Sequence, residues 1–311
     1  MTIGRSRLAE PNGIFLFAPK LLALVATSLS LACGKADSPV GIAPPTPHLT
    51  IEVRYLSTVS ASQRTIVADA VDKWTRALSK NLGEFRLNTP ANECFRGAPA
   101  LNETHHNPLV FFSVANVDGL GGLLAYSQIC AVSSRDALPL FSHIRVDLGD
   151  IASMEERGVL RGVILHELGH VLGFVPNSYL PKNLTAGGAA DPHFSGPTAR
   201  EEFRKHGAWY TGVTVPLEDA SGDGPNDPHW RFLVFGDEVM SSSLITGYRS
   251  PLSAITLGLF QDLGYEVDFS VADPYEVRPL FGGNRMVPEF SLANDLRSIG
   301  PPAVVTPIVH H

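Results

Sequence analysis

Cysteine is scarce in this sequence, with 3 residues in 311, and no Cys-x-x-Cys spacing or neighbouring histidine supports a cysteine nucleophile or metal ligand. Basic runs are also missing, because Lys and Arg occur singly or in isolated pairs and the net charge is -7. Since phosphate backbones are bound by basic surfaces, we expect no nucleic-acid partner. The hydrophobic content of 44% is sufficient for a large core, so the chain is predicted to be globular.

Long apolar segments are also absent. The run from Leu21 to Ala32 follows basic residues and has about 12 positions, which is too short for a stable bilayer anchor. It fits the apolar region of a secretory signal peptide. We therefore predict that residues 1–33 are a signal peptide and that the protein is exported.

The end of this segment, Leu29-Ser30-Leu31-Ala32-Cys33, resembles a bacterial lipoprotein signal, in which cleavage precedes a cysteine that then carries a lipid. Ser30 departs from that pattern, since leucine is usual at its position, and ordinary signal-peptidase cleavage is the alternative. Lipidation of Cys33 would attach the protein to a membrane of the bacterial cell envelope, whereas ordinary cleavage would secrete it. Residues 34–48 are rich in proline and are predicted to form a semi-rigid tether.

The two remaining cysteines are Cys94 and Cys130. In an exported protein, such a pair is most simply explained by one disulfide, which would constrain the unfolded chain. Two buried free thiols are the alternative.

The stretch His166-Glu167-Leu168-Gly169-His170 carries the strongest chemical signal. On an α-helix, positions i and i+4 lie on nearly the same face, so His166 and His170 can bind one metal ion. Glu167 lies about 100° round the helix from His166, where its carboxylate can take a proton from a water held by that ion. This pattern is typical of zinc peptidases.

The residues around the motif have helical spacing. They predict one long helix over residues 153–172, with a capping box at Ser153 and Glu156 and an apolar stripe beside the two histidines. Gly173 can end this helix in a left-handed conformation. The histidines are therefore expected to face the wall of a cleft.

A zinc site that keeps one position open for water needs a third protein ligand. In the compact peptidase motif a third histidine stands six residues after the second, but this chain has a proline there. Spacing alone leaves three candidates in the loop-rich region that follows: His193, His206 and His229. A carboxylate from a predicted helix near residues 198–206, Glu201 or Glu202, is a further alternative.

Other patterns predict an α+β fold. Alternating residues over 49–55 indicate a strand, the spacing over 61–80 indicates a helix, and further strands are predicted at 109–114 and 144–146. A glycine-rich turn leads into a short strand at 123–126, which is either an edge strand that receives an extended peptide or part of a plain tight turn.

The downstream region is predicted to contain a core helix that Ser250 caps and Gly264 ends. The main domain is predicted over residues 49–268, with an N-terminal subdomain to about residue 175 and an insertion and C-terminal subdomain after it. Residues 269–311 lack periodicity and are rich in proline, so they are predicted to form an irregular arm.

Several of these blocks resemble the leishmanolysin family of zinc peptidases, the metzincins with a long insertion between the second and third zinc histidines. The resemblance covers roughly residues 105–268 and rests on His166–Phe174, His193-Phe194, His229-Trp230, Glu238–Ser241, Ser250–Gly258 and Asp262–Tyr265. It implies a twisted mixed sheet, a long metal-binding helix and a mostly helical or irregular C-terminal subdomain. The low cysteine content departs from the family.

The resemblance also implies roles for individual residues. One catalytic Zn2+ would be bound by His166, His170 and His229, with Glu167 as the general base. Met240 would lie in a Met-turn, an apolar floor under the metal. The substrate would lie along a rim formed by Leu123, Leu124, Ala125 and Tyr126.

The sequence thus predicts a zinc endopeptidase that acts on protein or peptide substrates, is held at a membrane by an N-terminal lipid, and is a monomer. The alternative is a non-catalytic surface lipoprotein that keeps the metal and binds peptides or adhesion partners. Glu167 favours the enzyme, because a binding protein does not need this carboxylate.

Overall fold

The computed structural model describes residues 49–175, 184–187, 191–207, 214–219, 228–244, 249–277, 290–292 and 302–308. The helices in these ranges are α1 Ala61–Ala77, α2 Ile151–Glu156, α3 Leu160–Leu172, α4 Pro197–His206, α5 Phe232–Phe235, α6 Ala254–Asp262 and a 3-10 helix, Phe269–Val271. None of these helices is long and apolar enough to cross a membrane. The predicted signal peptide, with Cys33, and the predicted tether lie outside the described residues.

The strands in the same ranges form one five-stranded sheet, two three-stranded sheets and two two-stranded sheets. They are β1 Glu52–Tyr55, β2 Leu78–Ser79, β3 Glu84–Thr89, β4 Leu101–His105, β5 Leu109–Ala115, β6 Ala125–Ser133, β7 Pro139–Asp147, β8 Thr185–Ala186, β9 His193–Phe194, β10 Val215–Pro216, β11 Ser243–Leu244, β12 Glu266–Val267, β13 Phe290–Ser291, β14 Ala303–Val305 and β15 Pro307–Ile308.

The central sheet has the strand order β1-β5-β7-β6-β14. Strands β1, β5 and β7 are parallel, β6 is antiparallel to β7, and β14 is parallel to β6. The fold therefore combines helices with a mixed sheet, and this part of the fold prediction is confirmed. Strand β7 is longer than the predicted 144–146, because its buried polar residues Ser142 and His143 interrupt the apolar pattern on which strand prediction depends.

Helices α1 and α3 pack together on one face of this sheet, where α3 contacts β6 and β7. Ser60 and Gln63 form a capping box at the start of α1. The helix ends at Ala77 rather than near residue 80, because Leu78 and Ser79 pair with β12 instead. The indole Nε1 of Trp74 donates to the main-chain oxygen of Leu165, 2.9 Å away, and so joins α1 to the motif helix.

The motif helix α3 is shorter than predicted. Residues 151–172 form two helices separated at Gly158, whose φ of 71° is a left-handed conformation that interrupts a right-handed helix. The predicted capping box at Ser153 and Glu156 is wrong: α2 begins after Asp150, and α3 begins at Leu160. Residue preferences near Ser153 indicate the start of a helix, but α2 begins two residues earlier. The helix is then interrupted at Gly158.

The end of α3 agrees with the prediction, since Gly173 follows its last residue with a φ of 132°. Helix α6 also ends where predicted, before Gly264, but its start differs. The N-cap is Ser253, whose side chain accepts a hydrogen bond from the main-chain nitrogen of Thr256, and not Ser250. Ser250 has a φ of 45° and lies three residues before this cap.

The described part of the C-terminal arm is more regular than predicted. Strand β14 pairs with β6 at residues 131–133, and β15 pairs with β3. The arm therefore connects the central sheet to the sheet formed by β15, β3 and β4. Such short strands leave no periodic signal in the sequence, because their stability comes from main-chain pairing with the edges of existing sheets.

The face of the sheet opposite α3 is covered by the loop of residues 90–98. A disulfide joins Cys94 in this loop to Cys130 in β6. Phe95 stacks on the buried ring of His143 with centroids 3.7 Å apart, and His143 Nε2 lies 2.8 Å from Ser113 Oγ. Burial, together with the positive charge of Arg145, lowers the pKa of His143 to about 3.

His143 makes the stability of the fold sensitive to acid. Its pKa rises to about 6.5 on unfolding, so the unfolded chain binds a proton that the folded chain does not, and stability is lost as the pH falls from 6.5 towards 3. We expect His143→Gln to reduce the loss of unfolding free energy between pH 7 and pH 5 by about 2 kcal/mol. Urea unfolding at the two pH values measures this, with the exposed His106→Gln as control. An unchanged pH dependence in His143→Gln would contradict the assignment.

Candidate metal centre

Three histidine side chains meet at one point in the core. His166 and His170 come from α3, and His229 comes from the segment before α5. The Nε2 atoms lie 3.0 Å apart for His166 and His170, 3.1 Å for His166 and His229, and 3.3 Å for His170 and His229. In the part of the chain that the structure describes, this is the one group of three or more histidine, cysteine or carboxylate residues close enough to share a metal ion.

The distances between these nitrogens fit zinc. Nitrogens bound at 2.0–2.1 Å in a tetrahedral arrangement lie about 3.3–3.4 Å apart, close to the observed spacing. Three protein ligands also leave the fourth position for water or substrate, as in catalytic zinc sites.

The second ring nitrogens show which nitrogens are available to a metal. His166 Nδ1 lies 2.5 Å from the main-chain oxygen of Val239, and His170 Nδ1 lies 2.7 Å from that of Phe174. Because a carbonyl oxygen can only accept, each Nδ1 carries the hydrogen, and the Nε2 of each neutral ring has a lone pair. Two lone pairs 3.0 Å apart repel each other unless a cation lies between them.

The end of α3 places one of these carbonyl groups. The main-chain nitrogen of Phe174 bonds to the oxygen of Gly169, and that of Gly173 bonds to the oxygen of His170. The positive φ of Gly173 then turns the chain so that the carbonyl of Phe174 points back at His170. A residue with a side chain would be strained in this conformation, so the glycine contributes to the orientation of the ligand.

Glu167, between the two histidines, is fully buried. Ser127 in β6 donates a hydrogen bond from Oγ to its carboxylate, and the same hydroxyl lies 3.0 Å from the main-chain oxygen of Glu167. The sheet thus holds the side chain of Glu167. His166, His170 and His229 are all buried. That they line the wall of a cleft stays a prediction.

Met240 is buried and packs against α3 at Gly169. A Cβ atom built on Gly169 would lie only 2.4 Å from its Sδ atom. A side chain at position 169 would therefore force the buried Met240 side chain to shift, because its sulfur occupies that space. This close approach explains the glycine between the motif residues on packing grounds.

The other candidate ligands lie away from the cluster. His193 Nδ1 is 3.0 Å from the main-chain oxygen of Asp191, and His206 lies at the end of α4 with Nδ1 3.4 Å from a carboxylate oxygen of Glu276. The carboxylates on α4 are in local ion pairs, Glu201 with Arg204 and Glu202 with Lys205. Spacing left these alternatives open, and only His229 joins the two motif histidines.

The stretch predicted as the substrate rim lies at the start of β6. The strand begins at Ala125, so Leu123 and Leu124 lie just before it. The side chains of Leu124, Ala125 and Tyr126 are buried. Pairing of a peptide with this stretch would therefore use main-chain groups.

Two residues near the centre are not given a role by the sequence. Ser127 lies two residues after Ala125 on β6, so both side chains face the same side of the sheet. This position on the buried side is the one feature of the sequence that points to Ser127. Glu238 lies directly before the apolar residues Val239 and Met240, and it is buried. A single acidic residue at the edge of an apolar stretch indicates a carboxylate with specific partners.

A profile of the leishmanolysin peptidase family matches residues 102–277, more than half of the chain. The chain belongs to the leishmanolysin family. This confirms the resemblance on which the sequence prediction rests. The leishmanolysin family consists of zinc metallopeptidases, and the cluster of three histidines is of the kind that binds zinc.

Individual leishmanolysins show the extent of the similarity. Leishmanolysin of Leishmania donovani is 32% identical over 222 residues, 68% of this chain and 35% of that protein. Leishmanolysin of Leishmania major is 32% identical over 168 residues, 51% of this chain and 27% of that protein. A leishmanolysin homolog of Crithidia fasciculata is 31% identical over 159 residues. The chain thus covers at most 35% of the length of these relatives.

The geometry predicts that His229 is needed for zinc binding and His193 is not. We expect His229→Ala to weaken zinc binding by more than the roughly 10- to 100-fold that follows loss of an outer partner of a ligand. His193→Ala, the matched control, should bind zinc like the parent. Competition with a chromogenic chelator measures both affinities. Equal zinc affinity in His229→Ala and the parent would contradict the ligand set.

Proposed function

We propose that this protein is a zinc-dependent endopeptidase with one catalytic zinc ion. The observation that carries the proposal is the convergence of the Nε2 atoms of His166, His170 and His229 beside the buried carboxylate of Glu167. Membership of the leishmanolysin family supports the same activity. Protein or peptide substrates follow from this proposal.

In the proposed reaction the three histidines would hold the zinc through Nε2, and the Nδ1 hydrogens of His166 and His170 keep those two rings oriented. When bound, zinc lowers the pKa of water and polarises the carbonyl that is attacked. Glu167 accepts the proton of the attacking water on its carboxylate and returns it to the leaving amine. Ser127 orients the carboxylate through its hydroxyl.

We place Met240 in the Met-turn of the site, as an apolar support under the ligands rather than as a ligand. Its contact with the Gly169 position supports this role. The substrate is proposed to extend along β6 near Leu123, Leu124, Ala125 and Tyr126. Ser127, the next residue, contacts the proposed general base, so this stretch is beside the reacting groups.

Glu167→Ala tests the role of the carboxylate. Loss of a general base lowers turnover by typically about 10²- to 10⁴-fold, and we expect a fall in this range without loss of zinc. The experiment measures cleavage of a quenched-fluorescent peptide library by the protein with added zinc, together with the zinc content of each variant.

The control for this experiment is Glu156→Ala, an exposed carboxylate at the end of α2, which should cleave like the parent. Loss of zinc in Glu167→Ala would argue against the general-base role. If the parent binds zinc but cleaves no peptide, the peptidase proposal fails in favour of a surface protein that binds peptides without hydrolysing them.

We also propose that the protein is exported and attached to the bacterial cell envelope by a lipid on Cys33, with ordinary secretion as the alternative. The support is the apolar run ending in Leu31-Ala32-Cys33 after basic residues. A lipid there, followed by the proline-rich residues 34–48, would hold the domain away from the membrane.

Cys33→Ser tests the anchor. We expect the variant to move from the membrane fraction to the soluble fraction, since the thiol that accepts the lipid is lost. Ser30→Leu, which restores the usual residue of the lipoprotein signal, should stay with the membranes like the parent. Fractionation of expressing cells followed by detergent phase separation measures the distribution. Membrane association of Cys33→Ser equal to that of the parent would contradict lipidation.

A further inference from the structure

Glu238 is a buried carboxylate whose role the reaction does not explain. Its side chain is 1% exposed. Oε2 accepts a hydrogen bond from the main-chain nitrogen of Met240 at 2.6 Å, and Oε1 accepts from the nitrogen and hydroxyl of Ser253 at 3.1 and 2.7 Å and from the hydroxyl of Thr256 at 2.5 Å. One side chain therefore joins its own loop to the start of α6.

The loop that Glu238 holds contacts His166. The main-chain oxygen of Val239, the next residue, accepts the Nδ1 hydrogen of His166. The main-chain nitrogen of Val239 donates to the oxygen of Pro251. Met240 packs against Gly169 between the histidines of α3. A shift of residues 238–241 would therefore move the group that orients the His166 ring.

The same network reaches the residue beside His229. The main-chain nitrogen of Trp230 bonds to the oxygen of Met240 at 2.9 Å. The indole Nε1 of Trp230 donates to the hydroxyl of Thr256 at 2.8 Å, and that hydroxyl in turn donates to Glu238. The segment carrying the third histidine is thus tied to the Glu238 carboxylate through two separate contacts.

Burying a carboxylate costs desolvation free energy, which packing alone does not offset. Burial raises the pKa of Glu238 to about 7, although the hydrogen bonds from Thr256, Ser253 and Met240 act in the opposite direction. An apolar side chain would fill the space without this cost. It could not accept donors that converge from two segments, and those donors would be left unpaired in the core.

We propose that Glu238 is a positioning residue for the metal centre. By joining residues 238–241 to α6 and, through Thr256, to Trp230, it sets the orientation of His166 from one side and the position of His229 from the other. The inference rests on the zinc binding proposed above and adds a residue that touches neither the metal nor the substrate.

Glu238→Gln tests this role with little change in volume. The amide retains one acceptor oxygen, so donors on one side of the side chain meet an NH2 group. We expect zinc affinity to fall about 10- to 100-fold, as for other groups that orient ligands, and the absorption spectrum of bound cobalt(II) to change. Chelator competition and cobalt titration of the folded protein provide the two readouts.

The matched control is Asp147→Asn, another buried carboxylate, which accepts main-chain hydrogen bonds from Val117, Asp118 and Gly149. It should lower the unfolding free energy while zinc affinity and the cobalt spectrum stay as in the parent. If Glu238→Gln does not fold, Thr256→Val replaces it, because this substitution removes only the link between Trp230 and the carboxylate. We expect a fall of severalfold in zinc affinity for Thr256→Val.

Parent-like zinc affinity and an unchanged cobalt spectrum in the folded Glu238 variant would overturn the positioning role and leave the peptidase proposal intact. Zinc binding by the parent with no peptide cleavage would overturn the peptidase proposal, while weaker zinc binding in Glu238→Gln would still support the positioning role. Failure of the parent itself to bind zinc would overturn both.

Discussion

The structure around the candidate site depends on one constraint: three neutral imidazole rings have to present lone pairs to the same point inside the core. The Nε2 atoms of His166, His170 and His229 lie within 3.3 Å of one another. Such an arrangement is unfavourable unless a cation is shared and each ring is held. The carbonyl groups of Val239 and Phe174 hold two of the rings. Both carbonyls lie outside the helices, so the segments around α3 orient the histidines that the helix carries.

The close packing of α3 follows from the same constraint. All of its residues except Arg161 are buried, so the helix has no solvent-exposed face and is in contact with other side chains on every side. Gly169 gives space to Met240, and Trp74 anchors the preceding turn through the oxygen of Leu165. In a densely packed interior a small displacement is transmitted to neighbouring groups. The residues that stabilise the core here are therefore also those that position the site.

The strands that the structure describes after α3 are only two or three residues long, and buried carboxylates join several of the segments there. Glu218 accepts hydrogen bonds from the nitrogen of Phe232 and the hydroxyl of Ser242, and Glu238 joins its loop to α6. Each carboxylate satisfies donors that a loop would otherwise leave buried and unpaired. The disulfide of Cys94 and Cys130 lies on the other face of the sheet and does not hold this region.

The sequence alone determined the local elements whose signal lies in neighbouring residues. The helical spacing of His166 and His170, the glycine that ends α3, helices α1 and α4, and the blocks shared with the leishmanolysin family could all be recognised without coordinates. Tertiary structure decided what depends on residues distant in the chain. It separated His229 from His193 and His206, broke the predicted long helix at Gly158, and added β14 and β15 to sheet edges. It also placed Ser127 and Glu238 beside the candidate metal centre. Local periodicity reports which face of an element is buried, but not which groups meet across the core, since those contacts are set by packing and hydrogen bonding between segments far apart in sequence.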